Sequence, residues 1–190
     1  MTSSSRPSGA LDACCLLNLY ASGRLVEVLK VQPFGCITSA KAASECGYVW
    51  AGYDERGELV RESVDLGAAT ASGLLQIVSL SSEADLDLFV EWAGRVDDGE
   101  AETIAVALSC GAVVVATDDE KARREIAARA AALRLVDTPS MMKTWSEVKG
   151  IGAAELGEAL LAIERRGRFR PSPKAALADW WQASVSAISA

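Results

Sequence analysis

The 190-residue chain contains no histidine. That excludes Ser-His-Asp and Cys-His catalysis, imidazole acid–base pairs and every zinc site that needs an imidazole. Chemistry must rest on carboxylates, hydroxyls, thiols or amines. Among the five cysteines, Cys14, Cys15, Cys36, Cys46 and Cys110, no C-x-x-C spacing occurs and the number is odd. Buried free thiols in a reducing compartment fit this better than disulfides or a metal knuckle. Long apolar runs are also missing. The aliphatic run Ala112 to Ala116, which no other exceeds, is far too short to span a bilayer, and Asp12 and Asn18 interrupt the apolar stretch near the N-terminus. The expectation is a soluble, cytoplasmic protein with no membrane partner. Positive charge is in deficit: 19 Lys and Arg stand against 26 Asp and Glu, a net −7 that excludes a general polyanion binder.

What the chain does have is material for a core. Half of its residues are hydrophobic and 24% are charged, the balance of an ordered globular protein. Ala101, Ile104, Ala105 and Leu108 recur at helical spacing between Asp98 and Cys110, and Gly111 closes that helix. Ala112 to Ala116 then reads as a strand buried on both faces. After Thr117-Asp118-Asp119, the residues Ala122, Ile126, Ala130 and Leu133 mark a second amphipathic helix. Helix, buried strand, helix is the unit of an open α/β sheet. The first half repeats this with a short strand at 10–13 and a helix from Cys15 to Ala21. A further helix is predicted to open at Ile37-Thr38-Ser39 and run from Ala40 to about Trp50, followed by an alternating strand from Glu58 to Leu66. Beyond Pro139 helices take over. One runs through Leu156, Leu160 and Ile163 to Gly167, and a last one starts at Ser172-Pro173 and carries Trp180 and Trp181. The domain reading is a flexible 1–9, an α/β body at 10–138 and a helical extension at 139–190. Gly-Ile-Gly at 150–152 has Glu155 in place of a third glycine and no strand before it, which excludes a dinucleotide site.

Open parallel sheets bind ligands beyond the carboxyl ends of their strands. Asp12 ends the first predicted strand, and Asp118 and Asp119 end the clearest one. Glu100 sits in the first turn of the preceding helix, and Glu45 shares a helix face with Ala42 and Val49. Each acid alone has a structural explanation. Asp118 or Asp119 caps a helix, Glu100 and Glu102 complement a helix dipole, Asp12 starts a helix, and Glu45 is solvated. Taken together, converging carboxylates repel one another unless a cation neutralises them, and an all-oxygen set suits Mg²⁺ or Mn²⁺.

These stretches carry a resemblance. L-D-A-C-C-L-L-N-L-Y-A-S-G at 11–23, D-D-G-E-A-E-T-I-A-V-A-L at 97–108 and V-V-V-A-T-D-D-E-K-A-R at 113–123 resemble a PIN domain over about residues 10 to 138. The resemblance implies a three-layer α/β/α sandwich around a central, mainly parallel sheet, here with a C-terminal helical appendage. It also implies an acidic pocket that holds Mg²⁺ or Mn²⁺ and hydrolyses RNA. Many bacterial members are toxins of the VapC type, neutralised by an antitoxin encoded alongside, and the G-E-x-E and T-D-D sequences fit such a subgroup. Carried over by position, Asp12 is the first ligand, Glu45 the second and Glu100 the third, with Glu102 as a substitute. Distance from Gly111 favours Asp118 as the fourth acid, while the T-x-D pattern favours Asp119. Thr117 orients the pocket by hydrogen bonding. Glu100 stands where many toxin members have Asp, and Ala13 where many place a hydroxyl residue.

Substrate affinity needs cations. Arg123 and Arg124 follow Asp118 by about one turn. Arg168 and Arg170 belong to a strip at 164–174 that carries an excess of four positive charges together with Phe169. Such a strip tracks a phosphate backbone, or equally is a solvated helix end. Ala-Ala-Arg-Ala-Ala-Ala at 127–132 permits close helix packing in a homodimer. Two other readings compete with a metal-dependent ribonuclease. One is a PIN-fold module that binds RNA or protein with little or no cleavage. The other is a receiver-like signalling domain, which lacks its lysine at a late strand end.

Overall fold

Ala10 and Leu11 are neighbours, both fully buried, and they belong to different cores. Successive strand residues point to opposite faces, so a strand covered on both sides feeds two hydrophobic layers. The computed structural model describes residues 6–188. In chain order its elements are β1 (Ser8–Leu11), α1 (Ala13–Ala21), α2 (Leu25–Val31), β2 (Gly35–Ser39), α3 (Ala40–Glu45), β3 (Tyr48–Tyr53), β4 (Leu59–Ser63), α4 (Gly67–Ala71), β5 (Leu75–Val78), α5 (Glu83–Ala93), α6 (Asp98–Ser109), β6 (Val114–Ala116), α7 (Glu120–Arg129), β7 (Arg134–Val136), α8 (Thr138–Lys149), α9 (Ala153–Ala162), a π-helical turn (Ile163–Gly167) and α10 (Ala178–Ser186).

Five strands form one parallel sheet in the order β5-β2-β1-β6-β7. Leu11, Val114 and Ala116 face a core built with α1, α2, α8 and α9. Ala10, Ile37 and Val115 face another, built with α5, α6 and α7. The result is the expected α/β/α sandwich. From β1 the chain steps outward through β2 to β5, then returns to place β6 and β7 on the other side. The order therefore reverses between β1 and β6, where a parallel sheet opens a crevice at its carboxyl edge. Gly9 lets Phe34 pack against β1, since a Cβ there would collide with the ring. The antiparallel pair β3–β4 stands apart from this sheet.

Several elements differ from expectation. Ile37-Thr38-Ser39 is the buried end of β2 rather than a helix start, and Thr38 donates to the Leu11 carbonyl at 2.8 Å. The helix from Ala40 stops at Glu45, because Gly47 and the alternating Tyr48-Val49-Trp50 open β3 instead. α7 ends at Arg129, and Leu133 buries its side chain ahead of β7. The small-residue stretch 127–132 is therefore helical only through Arg129. β1 begins at Ser8 and hands over at Asp12, so Ser8 and Gly9 are ordered strand, while 1–5 lie outside the described residues. The last helix starts at Ala178, not Ser172. In α10, Trp181 is buried and donates to Glu164 Oε1 at 2.9 Å, with its ring edge-on to Phe169. Among the described residues no helix is long and apolar enough to cross a membrane.

Candidate active site

Register brings the first acids together. Leu11 pairs with Ala116, and the next residue, Asp12, donates its N–H to the Ala116 carbonyl at 2.9 Å. Asp12 N-caps α1 through Oδ1, which accepts from the Ala13 N–H at 2.8 Å. Its Oδ2 accepts from the Thr117 hydroxyl at 3.1 Å and from Cys14 Sγ at 3.0 Å. Thr117 Oγ1 in turn accepts the Asp119 N–H at 3.2 Å, so one hydroxyl joins both strand ends. Burial pushes the Asp12 carboxyl above its ordinary pKa; these hydrogen bonds oppose the shift and the charge of Asp119 adds to it.

Glu100 arrives from α6, whose first turn points at the same crevice. Its Oε2 is buried without a hydrogen-bond partner, as is the nearby Thr103 hydroxyl. Asp12, Glu100, Thr103 and Thr117 line one tight cleft between α6 and β6. Burial raises the Glu100 pKa most, followed by the charges of Asp12 and then Asp119 and Asp97. Asp12, Glu100 and Asp119 thus share one repulsive field. Asp119 also caps α7, accepting from the Ala122 N–H at 2.7 Å.

Asp118 faces the other way. Its Oδ1 accepts the Thr138 N–H at 2.8 Å, and its Oδ2 accepts from the Thr138 hydroxyl at 2.5 Å and Asn18 Nδ2 at 2.9 Å. Cys15 Sγ donates to the same oxygen at 3.5 Å. Burial still holds its carboxyl above the ordinary value against these donors. Cys14, Cys15 and Asp118 place one ligand atom each within 4.8 Å of one another. Burial drives the Cys15 thiol well up, away from the thiolate a soft metal would need.

The remaining residues are more dispersed. Glu45 is exposed on the rim, 3.6 Å from Lys41 Nζ, and packs so closely on Gly99 that a Cβ there would collide with its carboxylate. Glu102 turns to α3 and accepts the Lys41 N–H at 3.3 Å. Arg123 is a brace: its Nη1 donates to the carbonyls of Thr117 at 3.0 Å and Val136 at 2.9 Å, at the ends of β6 and β7. Arg124 is exposed on α7. Arg170 is held by Glu164, at 2.9 and 2.5 Å. Arg168 lies over the Trp50 ring, 4.1 Å from its centre. The sequence assigned Asn18, Thr138 and Cys14 no role beside the acids. Asn18 had a signal, an amide inside the apolar run Leu-Leu-Asn-Leu-Tyr; Thr138 had none, being distant in sequence.

Asp12 and Asp119 thus stand at adjoining strand ends joined through the Thr117 hydroxyl, with a third acid, Glu100, beside them at the switch point of a parallel sheet. The family model described as DUF3368, a PIN domain, matches residues 10–176. The chain belongs to the PIN-domain family. The match runs past Thr138 through α8 and α9, so those helices lie within the matched region. PIN domains are in general nucleases and typically use divalent metals. No curated protein matches the chain. The donor set fits such a metal. The groups whose charges act on one another here are all carboxylates, two have raised pKa values, and Glu100 Oε2 has no hydrogen-bond partner. Hard oxygen ligands of this kind suit Mg²⁺ or Mn²⁺ and not a thiophilic ion.

Proposed function

We propose that this PIN domain is a metal-dependent endoribonuclease, with Mg²⁺ or Mn²⁺ held by Asp12, Glu100 and Asp119. The observation that supports it is the unpartnered, buried Glu100 oxygen facing two further carboxylates at the crevice between β1 and β6. A divalent ion there supplies Lewis-acid stabilisation of a phosphodiester and a more acidic water. The chain's own residues prepare the place. Thr117 fixes the Asp12 carboxylate by its hydroxyl and anchors the Asp119 backbone, while Arg123 locks the loop carbonyls. Glu45 stands at the entrance, where it would orient water or hold a second cation from the rim. Neutralising the three acids also lets an anionic strand approach a protein of net charge −7. Asp118, bonded to Asn18 and Thr138, ties α1 to the start of α8 rather than holding the ion.

In its finer form the reading is a VapC-type toxin in the cytoplasm, working as a homodimer and checked by a cognate antitoxin. A short neighbouring frame with a DNA-binding pattern supports that form, and its absence removes it. The central experiment incubates the protein with structured and single-stranded RNAs in Mn²⁺ or EDTA, beside Asp12→Asn. Cleavage that needs Mn²⁺ and falls by about a hundredfold or more in the variant is expected, since metal stabilisation of phosphoryl charge contributes several kcal/mol. RNA bound but uncut, with Mn²⁺ still held, reassigns the chain as a binding module.

A further inference from the structure

Aromatic residues are scarce in this chain, yet Tyr48, Trp50 and Tyr53 all lie on β3. Their strand has two different faces. Val49 is 2% exposed and points into the core, and opposite it Glu62 is tied to Arg166 at 2.7 Å and to the Tyr20 hydroxyl at 3.3 Å. That inner face anchors the hairpin to α1 and the π-helical turn. The outer face carries the rings. There Tyr48 and Trp50 meet edge to face at 5.3 Å, and Arg61, the cross-strand partner of Trp50, lies 4.2 Å from the Tyr48 ring centre.

Arg168 completes the group at an unusual backbone position. It is the only non-glycine residue with positive φ among the described residues, at 55°. Such a position favours glycine. The chain has a glycine beside it, but Gly167 is committed to a close approach: a Cβ there would lie 2.8 Å from Asn18 Oδ1 and 3.3 Å from the Ala21 side chain. Backbone geometry therefore explains the left-handed turn and not the arginine. What the arginine does is lay its guanidinium over Trp50. A cation held over a ring, with its residue exposed, offers an aromatic surface and a positive charge together.

This surface is continuous with the carboxylates. Glu45 lines a groove of about 290 Å³ with Leu17, Tyr48, Trp50 and Arg168, and it also lines the open cleft that contains Lys41, Asp97 and Glu100. We propose that Tyr48, Trp50, Arg61 and Arg168 form a stacking subsite for an unpaired nucleotide of the strand whose phosphate reaches the acidic pocket past Glu45. The subsite rests on the nuclease reading for what happens next, not for its own existence. Bases stack on aromatic rings and guanidinium planes whatever their identity, and the two arginines take the flanking phosphates. The subsite selects single-stranded over duplex substrate, because paired bases expose no face.

The test uses a fluorescein-labelled oligouridylate and an RNA duplex of the same length, titrated by anisotropy in EDTA. Arg168→Gly is the informative variant: glycine accepts φ 55° without strain, so the turn survives while the guanidinium goes. Trp50→Leu is its partner, with circular dichroism as the check on folding. Roughly tenfold or greater loss of oligouridylate binding in both variants, with the weaker duplex binding unchanged, is expected. Equal binding by wild type and Arg168→Gly overturns the subsite, and so does a wild type that ignores the oligonucleotide. Cleavage assays in Mn²⁺ separate the two readings. Wild-type cleavage with unchanged KM in both variants removes the subsite and leaves the nuclease. Stack-dependent binding with no cleavage under any metal keeps the subsite and removes the nuclease.

Discussion

Thr117 is one hydroxyl with two duties, donating to the Asp12 carboxylate and accepting from the Asp119 N–H. Asp119 contributes its charge to Asp12 and Glu100, whereas Asp118 spends its oxygens on Thr138 and Asn18. Asp119→Asn is therefore expected to abolish measurable Mn²⁺ binding in calorimetry. Asp118→Asn lowers the melting temperature and leaves Mn²⁺ binding in place; loss of Mn²⁺ in that variant would move Asp118 into the ligand set. The same acids set a pH dependence. Asp12 and Glu100 keep their protons in the folded chain above the ordinary values of 3.8 and 4.5. The native state then binds more protons than the unfolded chain, so metal-free stability falls as pH rises through that window. Mn²⁺ displaces those protons, so its affinity and the melting shift it produces grow over the same rise. A shift in melting temperature that is flat from pH 4 to 7, an interval of about three units spanning the carboxylate range, would contradict this.

At the scale of elements, α6 matters for how closely it approaches α3. Gly99 sits in the first turn of α6 against the Glu45 carboxylate, and no side chain fits between them. Alanine is the better helix former by roughly 0.5–1 kcal/mol, so Gly99→Ala leaves thermal stability nearly unchanged or slightly higher. It nonetheless forces Glu45 off the rim, and cleavage in Mn²⁺ is expected to drop severalfold while folding does not. Another constraint joins α1, the β6 exit and α8, through the bonds of Asn18 and Thr138 to Asp118. Asn18→Leu removes a buried donor from a buried carboxylate and is expected to cost about 1–3 kcal/mol, read in urea unfolding. α6 and β6 were legible because they satisfy their periods locally, with apolar spacing in one and an unbroken Val run in the other. β3 was not, since Ala42, Glu45 and Val49 mimic a helical stripe and only the tertiary position of Gly47 ends it. β5, α5 and β7 were missed for a similar reason. Their exposed or half-buried faces leave short, mixed patterns that only sheet pairing resolves.

Across the whole molecule, the acids at positions 12, 100 and 119 act on one another's charge because the strand order reverses between β1 and β6, and nothing in their spacing alone states that reversal. The family resemblance supplied it; the residues supplied the charge. The different hydrogen-bond partners of Asp118 and Asp119, and the bonds of Asn18 and Thr138, needed side-chain directions at two strand ends. Charge at this scale yields a further expectation. The protein carries a net −7. Arg170 is neutralised by Glu164, Arg166 by Glu62, and Arg123 is spent on carbonyls. That leaves Arg61 and Arg168 as the cations beside the groove, so about two phosphates are neutralised on binding. For a single strand the slope of log K against log salt is then roughly −1.4, far shallower than for a protein that grips a long stretch of backbone. Anisotropy titrations from low to physiological salt measure that slope directly. A slope several times steeper would mean that the 164–174 strip engages RNA along its length, with the Glu164–Arg170 pair opened to do so.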